Sequence, residues 1–119
     1  MAQHNELGDK GEELAVAYLL ENGYTVIARN YRYLKAEIDV IVQKKDVLIG
    51  VEVKTRSTTD FGNPQDFINP KKIQLLVAAM NHFVIENDLD VEVRFDIIAI
   101  VKQKNAFNIE HLKDAFLHF

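Results

Sequence analysis

The chain of 119 residues contains no cysteine. That excludes disulfides and thiolate metal sites and suits a reducing compartment, so a cytoplasmic location is expected. The N-terminal stretch MAQHNELGDKGEE carries Glu6 and Asp9 where a secretory signal would have a basic start followed by an apolar core, so no signal is expected. Long apolar runs are missing too. The longest uncharged one, Ile73 to Ile85, is interrupted by Asn81 and His82 and falls short of the ~18 residues that a membrane span needs, so no membrane association is expected. The absence of a serine-centred elbow and of a glycine-rich phosphate loop leaves acyl hydrolase and P-loop nucleotide hydrolase readings without support. His4, His82, His111 and His118 have no zinc-site spacing.

What is present is the balance of a soluble globular protein: 48% hydrophobic and 27% charged residues, enough for one packed core and one domain spanning residues 1–119. A net charge of -4 argues at first against a polyanionic partner. Its distribution answers that objection. Glu86, Asp88, Asp90, Glu92 and Asp96 against Arg94 account for the whole of the -4, whereas Arg29 to Arg56 holds seven bases and four acids.

Leu14, Ala15, Tyr18 and Leu19 have helical spacing and Gly23 is a suitable stop, predicting a helix over 9–22. YTVIARNYRY (24–33), AEIDVIVQ (36–43) and VLIGVEVKT (47–55) read as three strands. Residues 57–69 read as a loop. Asn69 is a good N-cap and Pro70 a good first helical residue, and Ile73, Leu76, Val77, Met80, Phe83 and Val84 form a helical stripe. Residues 91–101 read as a further strand, and 107–117 is open between strand and short helix. This order implies an α/β fold in which a mixed sheet is flanked by helices.

Strand alternation places Glu52 and Lys54 on one face of their strand, and Glu37 and Asp39 on one face of theirs. A hairpin turning at Lys45 and Asp46 pairs Ile38 with Val53, Val40 with Val51 and Val42 with Ile49. The other face then pairs Glu37 with Lys54 and Asp39 with Glu52. Two carboxylates roughly 5 Å apart repel by about 3 kcal/mol at an effective dielectric of 20. A hard divalent cation, Mg²⁺ or Mn²⁺, offsets that repulsion with oxygen donors, and Lys54 alongside suits phosphodiester hydrolysis. A plain cross-strand ion pair between Glu37 and Lys54 is the competing reading. Upstream, RNYRYLK interleaves Arg29, Arg32 and Lys35 with Tyr31 and Tyr33. With Arg56 and Lys72 these bases are candidate phosphate contacts, and the tyrosines could hydrogen-bond or stack on unpaired bases.

Asp39 followed a hairpin away by Glu52-Val53-Lys54 resembles the PD-(D/E)xK nuclease signature. The ordered set GDKGEELAVAYLLENGY, RNYR, EIDVI, VEVKTR, FGNP and RFDIIAI is similar to the bacterial YraN-like family of uncharacterised endonuclease-like proteins, related in fold to archaeal Holliday junction resolvases. The resemblance covers nearly the whole chain. It implies a restriction-endonuclease-like fold, Asp39 and Glu52 as metal ligands with the Val53 carbonyl as a further one, and Lys54 as the catalytic lysine. It also picks out Glu12 as an acid approaching the site, although Asp9 and Glu12 have the spacing of a helix capping box. Where the family usually has a glycine and an apolar side chain, this sequence has Ala36 and Gly50. Asp96 fits a structural or supporting carboxylate better than a ligand.

The expectation is therefore a Mg²⁺- or Mn²⁺-dependent nuclease acting on DNA, branched or otherwise structured. The alternatives are a catalytically silent nucleic-acid-binding module in DNA repair or processing, and an RNA endonuclease. Junction-cutting enzymes favour two-fold symmetry, which raises a homodimer as an option without marking an interface.

Overall fold

The computed structural model describes residues 6–57 and 69–115. The FGNP segment, His4 and His118 lie outside them. In chain order the elements are α1 (Glu6–Glu21), β1 (Thr25–Tyr33), β2 (Ala36–Lys44), β3 (Val47–Arg56), α2 (Pro70–Glu86), β4 (Glu92–Gln103) and β5 (Ala106–Leu112). The strands form one sheet in the order β1-β2-β3-β4-β5. Every neighbouring pair is antiparallel except β3 and β4. Parallel neighbours need a crossover, and α2 lies in that connection. The mixed α/β sheet is consistent with a restriction-endonuclease-like fold.

Each helix covers one face of the sheet. Ala15 and Leu19 of α1 pack on Val40, Val42, Ile49, Val51, Ile98 and Ile100. Leu76, Ala79, Met80 and Phe83 of α2 pack on Ile38, Ile41, Leu48 and Phe95. Gly50 permits the close approach of this second layer: a Cβ there would lie 2.9 Å from Met80 Cε and 3.1 Å from the Phe95 ring.

Both helices end by the same device. Gly23, at φ 88, follows α1, and Tyr24 N–H donates to Leu19 O while Gly23 N–H donates to Leu20 O. After α2 the left-handed position falls to Asp88, with Leu89 N–H on Val84 O and Asp88 N–H on Ile85 O. α2 begins as its sequence implies, with Asn69 Oδ1 accepting the Lys72 N–H at 2.8 Å and Pro70 at the first position.

The hairpin register is the expected one as far as it runs: Val42 pairs with Ile49, Ile41 with Gly50 and Val40 with Val51, around a turn with Lys45 at φ 56. It does not reach Ile38 and Val53. These two pack on opposite faces, Ile38 under α2 and Val53 under α1, because the Val53 N–H is taken by the Asp39 carboxylate rather than by β2 backbone. The segment left open between strand and helix pairs with β4 as β5, from Gln103–Ala106 to Ile97–Leu112.

Asp96 anchors the opposite flank of the sheet. Its carboxylate is fully buried and accepts from Arg94 Nε at 2.9 Å, His111 Nε2 at 2.7 Å and the Asp114 N–H at 3.0 Å. His111 Nδ1 lies 3.0 Å from the Tyr18 hydroxyl. Burial works against the Asp96 charge, but the hydrogen bonds from His111, Arg94 and Asp114 outweigh it and hold the carboxyl below its ordinary value. The placement ties β4 to β5 and α1, the structural role its strand context suggested.

Candidate functional site

The candidate residues gather where β3 leaves the hairpin, at the carboxyl end of a parallel strand, a place where open α/β sheets commonly build their sites. Glu52 follows Gly50 and Leu48 on the α2 face of β3, and its side chain is buried at 4% exposure. β2 ends its pairing one position short of it. Asp39 turns its carboxylate into the resulting gap, where Oδ2 accepts the Val53 N–H at 2.8 Å. The N–H and C=O of one strand residue point to the same side, so the Val53 carbonyl also faces the side on which Asp39 lies.

Asp39 and Glu52 are thus not an in-register pair, but they share one electrostatic environment. Burial, and then the charge of Asp39, push the Glu52 carboxyl up from 4.5 to about 7. Burial also raises Asp39, against the opposing hydrogen bond from Val53. Lys72 partly compensates, its Nζ lying 3.0 Å from Glu52 Oε2. The other oxygen, Oε1, is buried with no hydrogen-bond partner among the described residues, and a buried acceptor without a donor costs stability.

Lys54 is one pleat beyond Glu52. Burial first, and then the neighbouring ammonium of Lys72, lower its amine, while Glu52 and Asp39 pull it back up. A lysine so perturbed beside two carboxylates is suited to proton transfer or charge neutralisation at neutral pH. In place of the competing reading, a cross-strand ion pair with Lys54, Glu37 contacts Arg32 Nε at 3.3 Å, and the pairing of β2 with β3 stops short of that level.

Glu12 enters from α1. The helix starts at Glu6, so Asp9 lies inside its first turn rather than ahead of it. This removes the capping-box reading, which needs its first member outside the helix. Gly11 brings the helix onto β3: a Cβ there would overlap Thr55, lying 2.8 Å from Thr55 Cβ. Next to that contact, burial and the charge of Asp39 raise the Glu12 carboxyl.

The donor set of Asp39, Glu52 and the Val53 carbonyl is all hard oxygen, and the orphaned Glu52 Oε1 is an acceptor in need of a cation or donor, so the residues fit Mg²⁺ or Mn²⁺. Among the described residues no three acidic or imidazole side chains converge into a ready cage.

The basic residues separate into groups. Lys35 and Lys72, with Lys71, line a cavity of about 280 Å³ beside the carboxylates, together with Glu37, Asn69 and Leu75. Arg29 is held by Glu13 at 2.8 Å, and Arg56 ends β3 with Nη1 on the Thr55 carbonyl at 2.9 Å. The tyrosines are engaged differently from the expectation. Tyr31 OH is 2.8 Å from His82 Nδ1 and Tyr33 stacks on His82 with ring centroids 4.0 Å apart, because both rings face α2.

The contact of Lys72 with Glu52 was not anticipated, although one signal was present. Lys71 and Lys72 occupy the first turn of a helix, where the macrodipole disfavours cations, so a lysine there needs another reason.

Residues 11–100 match the uncharacterised protein family UPF0102. The chain belongs to this family. Among UPF0102 proteins, one from Christiangramia forsetii is 62% identical over the full length of both chains. Another, from Flavobacterium johnsoniae, is 54% identical over all of both chains. A third, from Bacteroides thetaiotaomicron, is 45% identical over 98% of this chain and 96% of its own. UPF0102 is the YraN-like, nuclease-like family that the ordered motifs resemble. Its match begins at Gly11 and ends at Ile100, so it includes the helix–strand contact at Thr55, both carboxylates, Lys54 and Lys72.

Proposed function

We propose that this UPF0102 protein is a divalent-metal-dependent phosphodiesterase that cleaves DNA, branched or otherwise structured. One observation carries the reading: the buried Glu52 of β3 and the half-buried Asp39 of β2 are held side by side at an electrostatic cost, and one Glu52 oxygen has no donor among the described residues. Asp39, Glu52 and the Val53 carbonyl would hold Mg²⁺ or Mn²⁺, which when bound supplies Lewis-acid activation of a phosphodiester or of water.

Lys54 shares a face with Glu52, and its lowered amine would hold the attacking water or take its proton, or neutralise charge developing on the phosphoryl oxygens. Glu12, raised by burial and then by Asp39, would orient water on the α1 side. Lys35 and Lys71 would hold backbone phosphates at the cavity beside α2. Arg32, tied to Glu37, and Arg29 and Arg56 would extend that contact along the site's edge.

The test incubates purified protein with linear, flap and four-way DNA and with single-stranded RNA, with and without Mn²⁺, beside Asp39→Ala and Lys54→Ala. Metal-dependent DNA cleavage lost in both variants is the expected result. Undiminished cleavage in both would end the site assignment. Binding without cleavage at any metal concentration would favour a catalytically silent binding module, and cleavage confined to RNA would move the substrate class.

A further inference from the structure

We propose that Lys72 is a displaceable counter-ion, whose ammonium occupies Glu52 in the metal-free protein and competes with a divalent cation for that carboxylate. The proposal rests on the metal-site reading of Asp39 and Glu52. Lys72 Nζ lies 3.0 Å from Glu52 Oε2, whereas Oε1 has no hydrogen-bond partner among the described residues, so this ammonium is in direct contact with one oxygen and leaves the other open. An ammonium has donors and no acceptor. A divalent cation held by Oε1 of the same carboxylate would lie close to that ammonium, so the two positive charges repel and occupation by one weakens the other.

The two partners differ in their freedom. Glu52 is anchored within β3 and its side chain is 5% exposed, whereas that of Lys72 is 37% exposed. The Lys72 backbone is held, its N–H bonded to Asn69 Oδ1 at 2.8 Å. Its side chain also lines the cavity shared with Lys35 and Lys71. Rotation about the lysine stem therefore carries the ammonium from Glu52 into open space without moving the helix. There it joins two other ammonium groups opposite Glu37, which is already paired with Arg32. Displacement by metal thus makes the cavity more positive, and metal loading and attraction of an anionic chain become linked through one side chain.

Mn²⁺ binding to the purified chain, followed by the electron paramagnetic resonance of free Mn²⁺ at neutral pH, tests this with the wild type and four variants. A charge-assisted hydrogen bond corresponds to about tenfold in an equilibrium constant, so Lys72→Met is expected to bind Mn²⁺ about tenfold more tightly than wild type. Lys102→Met, at an exposed position near the end of β4, is expected to stay within about twofold, and Glu52→Gln to lose the site. Lys72→Gln, polar, uncharged and one atom shorter, provides a second reading if the methionine variant unfolds. Equal or weaker Mn²⁺ binding by both Lys72 variants, with Glu52→Gln still defective, overturns the counter-ion and leaves the metal site standing, because a lysine that merely orients Glu52 would weaken binding when removed. Binding unaffected by Glu52→Gln overturns the metal site, and the counter-ion with it.

Discussion

Replacing Glu52 by glutamine should stabilise the metal-free protein. The folded state raises this carboxyl from 4.5 to about 7 through burial and Asp39, with the favourable effect of Lys72 already included. A folded pKa above the unfolded one means that the native state binds the proton more tightly, so wild-type stability falls as pH rises from about 4.5 to about 7. At about 1.4 kcal/mol for each tenfold, the cost above that window is about 3–4 kcal/mol. Part of it belongs jointly to Asp39, so about 1–3 kcal/mol is the expected gain at pH 8. Glutamine keeps the volume and an oxygen that can still accept from Lys72. Urea unfolding of both proteins without metal, at pH 4.5 and pH 8, reads the difference from the midpoints at constant slope. The gain should appear at pH 8 and nearly vanish at pH 4.5. A variant less stable than wild type at pH 8 would show that the Lys72 ion pair outweighs the burial of the charge and would refute the reasoning.

Asp96→Asn should cost about 3 kcal/mol at neutral pH by urea unfolding, because it leaves Arg94 and His111 facing a neutral amide in a buried network. Since the folded state depresses this carboxyl, its contribution is present above the unfolded value and is lost as pH falls through the folded one, so the gap from wild type should narrow in acid. Gly11→Ala should destabilise by about 1–3 kcal/mol in thermal or urea unfolding despite the better helix propensity of alanine, since its Cβ overlaps Thr55. Lys54→Met should lower Mn²⁺-dependent cleavage by about 10²-fold or more while Mn²⁺ still binds, which single-turnover cleavage and a metal titration check together.

The pieces of the fold governed by local rules were legible in the sequence. Asn69-Pro70, Gly23 and the apolar stripes set both helices, and the all-aliphatic pairs Val40–Val51 and Val42–Ile49 set the hairpin. α1 begins at Glu6 rather than at the expected Asp9, because the added residues Glu6, Leu7 and Gly8 offer a single apolar side chain, too little to mark a helical stripe. The departure at Ile38 and Val53 was not legible. A strand pattern assumes that backbone pairs with backbone, and here the Asp39 side chain takes the Val53 N–H. Asp39 and Glu52 came together from alternation and register, but Lys72 reaches them from a helix whose position depends on Gly50 making room for Met80. The same dependence turned Tyr31 and Tyr33 inward, since alternation tells which residues share a face but not which face α2 will cover.

The most direct measurement is anomalous diffraction at the manganese edge from crystals of the wild-type protein grown with Mn²⁺. A peak about 2 Å from oxygens of both Asp39 and Glu52, with Lys72 Nζ moved off Glu52 toward Lys35 and Lys71, is the expected result. A map with Lys72 still on Glu52 and manganese absent or bound elsewhere would contradict a metal site at the end of β3.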